Sequence, residues 1–202
     1  MLVLCSNGLS SDALIAEMKR HTGEARTAAL VVTADSKYRE KNYHVPRCRE
    51  ELARLGLSVD VADIDTQAPE ALLGYDVVEF IGGNPFDLME SIRRSRAQDV
   101  LRRLAGERTL IGWSAAAFVF GPTLALAQLY TPELNTAGLS DLSGLALTQT
   151  EVLPHYGKFL GRFERFEERC AEYERANSRT VIRLDDGDGL FVDGQRQWLV
   201  RC

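Results

Sequence analysis

The sequence predicts an α/β fold: a mostly parallel sheet with helices on both faces and a small antiparallel C-terminal extension. Three observations carry this. Short apolar runs alternate with longer amphipathic ones through the first two thirds of the chain, a rhythm that builds parallel neighbours rather than hairpins. Several apolar runs end in Gly, Asn or Ser directly before a helix-start signal. The last third changes character, with short strands separated by Asp/Gly turns.

In chain order, Leu2 to Cys5 reads as a strand and Ser10 to His21 as a helix opened by a serine cap. Ala28 to Thr33 is a second strand. Val45 to Leu55 is helical, with Gly56 as its stop, and Leu57 to Ala62 is a third strand. Val77 to Ile81 is a fourth, closing in Gly82-Gly83-Asn84, and Pro85 opens a helix at its favoured first position. Thr109 to Trp113 is a fifth strand, followed by a helix from Ala115. Beyond it, Leu145 to Leu153 is expected as a strand and Lys158 to Ala176 as a charged helix. Thr180 to Leu184, Leu190 to Val192 and Trp198 to Val200 are expected as short strands.

The bulk numbers restrict the function classes. At 202 residues, 45% hydrophobic and 26% charged, the chain is expected to form one domain over residues 1–202. The net charge of −5 comes from interspersed acids and bases, so no basic patch for nucleic acid is expected. No apolar run approaches the roughly 20 residues that span a bilayer, and the N-terminus lacks the basic flank of a signal peptide. The four cysteines are far apart and have no nearby histidine, so neither a metal site nor a disulfide framework is expected. A cytoplasmic protein without cofactor, monomeric or homodimeric, is the corresponding reading.

The stretch IGWSAAAFVFGP carries the chemistry. Ser114 falls where the fifth strand ends and a helix begins. A nucleophile elbow needs this turn: it exposes the hydroxyl, and the helix N-terminus supplies positive potential and free N–H groups. Small neighbours are required, and Gly112, Ala115 and Ala116 fit, although the G-x-S-x-G pattern ends here in Ala116. The alternative is a plain serine N-cap. A nucleophilic serine needs a base, and the chain has three histidines. His21 lies at a helix end, His44 in a polar loop, and His155 at a strand end in LPHY, on the sheet edge expected for Ser114. The glycines at 82 and 83 could present N–H groups to an oxyanion together with Ala115; the alternative is an ordinary strand-to-helix turn.

Together GGNPFDL (Gly82 to Leu88), GWSAA (Gly112 to Ala116) and PHY (Pro154 to Tyr156) resemble the dipeptidase E and cyanophycinase family of serine peptidases, in order and in spacing. The resemblance implies a flavodoxin-like, class I glutamine-amidotransferase-like fold, Ser114 as nucleophile, His155 as base, and oxyanion donors at Gly83 and Ala115. It implies short peptide substrates, with N-terminal aspartate a candidate preference, and Asn84, Arg162 and Arg165 as substrate-binding residues. Arg169 shares their helix face, and a solvated salt-bridged face is the alternative for all three arginines. Dipeptidase E carries an aspartate soon after its serine, where this chain reads LALAQLY. Glu133 is the expected orienting acid and Asp141 the second choice. The rival readings are a non-catalytic relative acting as a binding protein and a phosphate binder at Gly82-Gly83-Asn84.

Overall fold

The computed structural model covers residues 1–202. Seven strands form the main sheet: β1 (Leu2–Cys5), β2 (Thr27–Val31), β3 (Ser58–Ala62), β4 (Val77–Phe80), β5 (Thr109–Trp113), β8 (Gly189–Asp193) and β9 (Arg196–Val200). Their order is β3-β2-β4-β5-β1-β8-β9. The first five are parallel, whereas β8 pairs antiparallel with β1 and with β9. The expected α/β architecture is therefore present, and its antiparallel strands continue the main sheet. β6 (Glu151–Leu153) and β7 (Val181–Arg183) make a separate parallel pair.

Period-two alternation divides each strand between two cores. Leu2 and Leu4 face one, with Val31, Phe80 and Leu110; α3 (Pro85–Ser95), α4 (Gln98–Glu107) and α5 (Ala115–Phe120) cover it. Val3 and Cys5 face the other, with Leu30, Ile111 and Trp113, under α1 (Asp12–His21) and α2 (Val45–Ala53). A third cluster joins α6 (Ala125–Tyr130), α8 (Phe166–Asn177) and the β6–β7 pair through Leu126, Tyr130, Leu153, Phe166 and Val181.

Two expected elements differ. Of the strand expected at Leu145 to Leu153, only Glu151–Leu153 is extended in a sheet. The N–H groups of Leu145, Ala146 and Leu147 donate instead to Val119, Gly121 and Phe120, capping the end of α5. The charged helix is split into α7 (Tyr156–Leu160) and α8, with Gly161 ending the first and Arg165 in the left-handed region, at φ 50°, before the second. Helices α4 and α6 were not anticipated.

Candidate active site

Ser114 is the single residue between β5 and α5. Its backbone sits at φ 52°, ψ −109°, a region non-glycine residues rarely occupy and worth about 1–3 kcal/mol of strain. Its N–H donates to the Cys5 carbonyl at 3.2 Å, tying the turn to β1. A serine serving as a cap would bond the helix N–H groups, as Ser11 does for Leu14 at the start of α1. The Ser114 hydroxyl caps nothing and faces a cleft. The turn also explains Ala116. A Cβ on Gly112 would stand 2.5 Å from the Phe120 ring and 3.1 Å from the Ala116 Cβ. Glycine at 112 supplies the space, so the second small position tolerates alanine.

His155 follows Pro154 at the end of β6, in the left-handed region at φ 58°, ψ 32°. Two contacts fix it. Its backbone N–H donates to Ser6 Oγ at 2.8 Å. Its Nδ1 lies 2.6 Å from Asp186 Oδ1, which also accepts from Ser6 Oγ at 2.8 Å. A carboxylate only accepts, so Nδ1 carries the proton and Nε2 keeps its lone pair. Burial lowers the His155 pKa and outweighs the opposing pull of Asp186. For Asp186, burial pushes the carboxyl up, but the bonds from Ser6 and His155 prevail and hold it below the usual carboxylate range.

The carboxylate that meets the imidazole is thus Asp186, in place of Glu133 or Asp141. Glu133 is exposed in a short 3-10 turn at Pro132–Leu134. Asp141 is exposed and pairs with Arg93 at 2.9 Å. Both follow Ser114 in the chain, but the fold carries their loop over α3, while the turn between β7 and β8 brings Asp186 to His155. Ser6 and Asp186 are the residues that sequence reasoning missed. The signal available was positional: Ser6 ends β1 as Ser114 ends the neighbouring β5, and Asp186 stands in an acidic DDGDG turn.

The cleft, about 540 Å³, opens beyond the carboxyl ends of β2, β4 and β5, where the strand order reverses direction. Ser114, His155 and Asp186 line it, with Gly82, Gly83, Asn84, Trp113, His44, Lys37 and Lys158 among their neighbours. Gly82 abuts the serine: a Cβ there would lie 3.0 Å from Ser114 Cβ. Gly83, at φ 154°, passes so close to Ala34 that a Cβ would meet its carbonyl oxygen at 2.2 Å. The Gly83 N–H has no protein acceptor, and the Ala115 N–H belongs to a first helical turn, which has no intrahelical acceptor. Asn84 lines the cleft, but its amide is committed: Oδ1 accepts from Phe86 and Asp87, and Nδ2 donates to the Leu134 carbonyl.

The arginines singled out in the sequence stand outside the cleft. Arg162 lies over the rings of Phe159 and Phe163. Arg165 pairs with Glu168 and Glu172, and Arg169 donates to the Leu129 carbonyl over the Tyr130 ring. The lysines of the cleft are Lys37, whose ammonium lies 4.9 Å from the centre of the Tyr38 ring, and Lys158. Away from the cleft, Cys48, Glu51 and Glu79 form the one buried group with metal-ligand spacing. Of the three, Glu51 pairs with the Arg47 guanidinium at 2.5 Å.

Known proteins resemble the chain over nearly its whole length. Residues 2–200 match Peptidase family S51. An uncharacterized peptidase of Listeria monocytogenes is 25% identical over 177 residues, 85% of this chain and 84% of its own. A Peptidase E of Haemophilus influenzae is 27% identical over 146 residues, 70% of this chain and 65% of its own. A solved Peptidase E-type structure from Listeria monocytogenes superposes with a TM-score of 0.80 at 22% identity, covering 100% of this chain and 98% of that one. The chain belongs to peptidase family S51, a family of serine peptidases. None of its helices is long and apolar enough to cross a membrane.

Proposed function

We propose that this family S51 peptidase is a serine exopeptidase of short peptides, acting through an acyl-enzyme on Ser114. One observation carries the reading: a strained serine with an uncommitted hydroxyl borders the same cleft as an imidazole whose Nδ1–H is bonded to the Asp186 carboxylate. His155 Nε2 takes the Ser114 proton as Oγ attacks the peptide carbonyl. The N–H groups of Gly83 and Ala115 receive the oxyanion. His155 then protonates the leaving amine, and water, deprotonated by the same Nε2, releases the acyl group. Asp186 holds the tautomer and steadies the imidazolium, the role expected of Glu133 from sequence.

The size of the cleft supports short substrates, since it falls in the range of small-molecule sites. Lys37 and Lys158, rather than Arg162 and Arg165, are the charges available to a substrate carboxylate, whether a side chain of N-terminal aspartate or a peptide C-terminus. The test is cleavage of a dipeptide and tripeptide panel, including Asp-Leu, followed by mass spectrometry. Wild-type protein is expected to hydrolyse members of the panel. Ser114→Ala and His155→Ala should each lower kcat by about 10⁴-fold or more, and the double variant should be no worse than either. Cleavage that survives Ser114→Ala would overturn the mechanism.

A further inference from the structure

A second imidazole borders the cleft and takes no part in this mechanism. His44 lies at the end of the loop that follows β2. That loop is pinned from within. Asp35 Oδ1 accepts from the N–H groups of Lys37 and Tyr38, and Asp35 Oδ2 accepts from Asn42 Nδ2. The Asn42 side chain in turn accepts from the His44 N–H at 2.7 Å. The ring packs between Tyr43, at 3.9 Å between centroids, and the edge of Trp113, at 5.1 Å and 81°. Trp113 is the residue immediately before Ser114.

The protonation of His44 is set from behind. Its Nδ1 lies 3.4 Å from Arg47 Nη2. A guanidinium has only donors, so Nδ1 accepts and the ring proton sits on Nε2. Arg47 is itself fixed: it donates to Glu51 at 2.5 Å, to the Asn7 carbonyl at 2.9 Å and to Asn7 Oδ1 at 3.1 Å. Glu51 is buried and also accepts from the Leu9 N–H. Nε2 of His44 has no protein partner.

We infer that His44 is a substrate-positioning residue, donating its Nε2–H to a carbonyl or carboxylate oxygen of the bound peptide, with its tautomer preset by the Glu51–Arg47 pair. This rests on the peptidase reading. His44 borders the cleft that holds the nucleophile and keeps one donor that no protein group uses.

The test compares His44→Phe, which keeps an aromatic ring without a donor, with His44→Gln, whose amide nitrogen replaces Nε2–H. With the best substrate of the panel, His44→Phe is expected to raise KM about tenfold, the size of one lost hydrogen bond, with kcat little changed. His44→Gln should recover most of the loss. Unchanged KM in His44→Phe, or no recovery in His44→Gln, would overturn the assignment. A second measurement stands apart from catalysis. Imidazole ¹⁵N spectra of Ser114→Ala protein should show His44 as the Nε2–H tautomer, and its Nε2 signal should shift when the dipeptide Asp-Leu or Ala-Leu is added. An Nδ1–H tautomer, or a signal that neither peptide moves, overturns the inference even if the peptidase reading stands. A wild type that cleaves nothing, with the tautomer and the shift as expected, overturns the peptidase reading alone.

Discussion

His155 and His44 border the same cleft, yet the fold gives them opposite partners. Behind His155 stands Asp186, an acceptor, so the proton is drawn to Nδ1 and Nε2 is left basic. Behind His44 stands Arg47, a donor, so Nδ1 is consumed and Nε2 becomes a donor. The supporting residues differ in the same sense. Asp186 is braced by Ser6 from the end of β1, and Arg47 by Glu51 one helical turn along α2. A histidine near a nucleophile is therefore not a base by virtue of its position. The group on its far nitrogen decides which face of the ring does the chemistry.

The largest break in this contrast comes from Asp186. Asp186→Asn offers a donor or a weaker acceptor where the imidazole needs a carboxylate. It is expected to lower kcat by about 10³–10⁴-fold while leaving the fold intact, measured by initial rates and by circular dichroism. Glu133→Gln in the same assay should leave kcat unchanged; a reversed order of effects would return the orienting role to Glu133.

A smaller effect is expected on the other side. Arg47→Met removes the donor that fixes His44 and leaves Glu51 without its cation. Arg47 is partly exposed and Glu51 is not, at 31% and 7% of their side chains, so the cost falls between those of surface and buried pairs, at about 2 kcal/mol. For a chain of this length that lowers Tm by roughly 4–8 °C. KM should rise as for His44→Phe, with kcat retained. A fall in kcat of the Asp186→Asn size would show that the two imidazoles are not independent.

The subtlest difference is in pH. Burial disfavours the His155 imidazolium more than Asp186 favours it, so its pKa is lowered. The base must be neutral to act, and a lowered pKa extends the neutral form toward acid. The acid limb of kcat/KM should therefore lie below the ordinary imidazole value of about 6.5. His44→Gln should leave that limb nearly in place, since it removes a neighbour and not the base. A limb above 6.5 in the wild type would contradict the balance of burial over charge.

What could be read from the chain was whatever local chemistry dictates. The alternation of apolar runs required a layered α/β fold, because each run has only one way to bury its face. GWSAA required a tight turn around a serine, since only small side chains fit where Gly112 meets Phe120 and Ala116. PHY marked a histidine at a strand end. The acid was not legible. Asp186 is 31 residues from His155 and 180 from Ser6, and no local pattern distinguishes it from the other aspartates of its turn. Only the sheet decides, by laying β8 antiparallel against β1 so that the turn before β8 arrives beside Ser6. The same holds for His44, whose role depends on an arginine one turn along α2 and on the loop after β1 that receives it. Backbone turns obey short-range sterics and can be read from neighbouring residues. A side-chain hydrogen bond between distant segments needs its two partners within about 3 Å, and that distance exists only once the strands have paired.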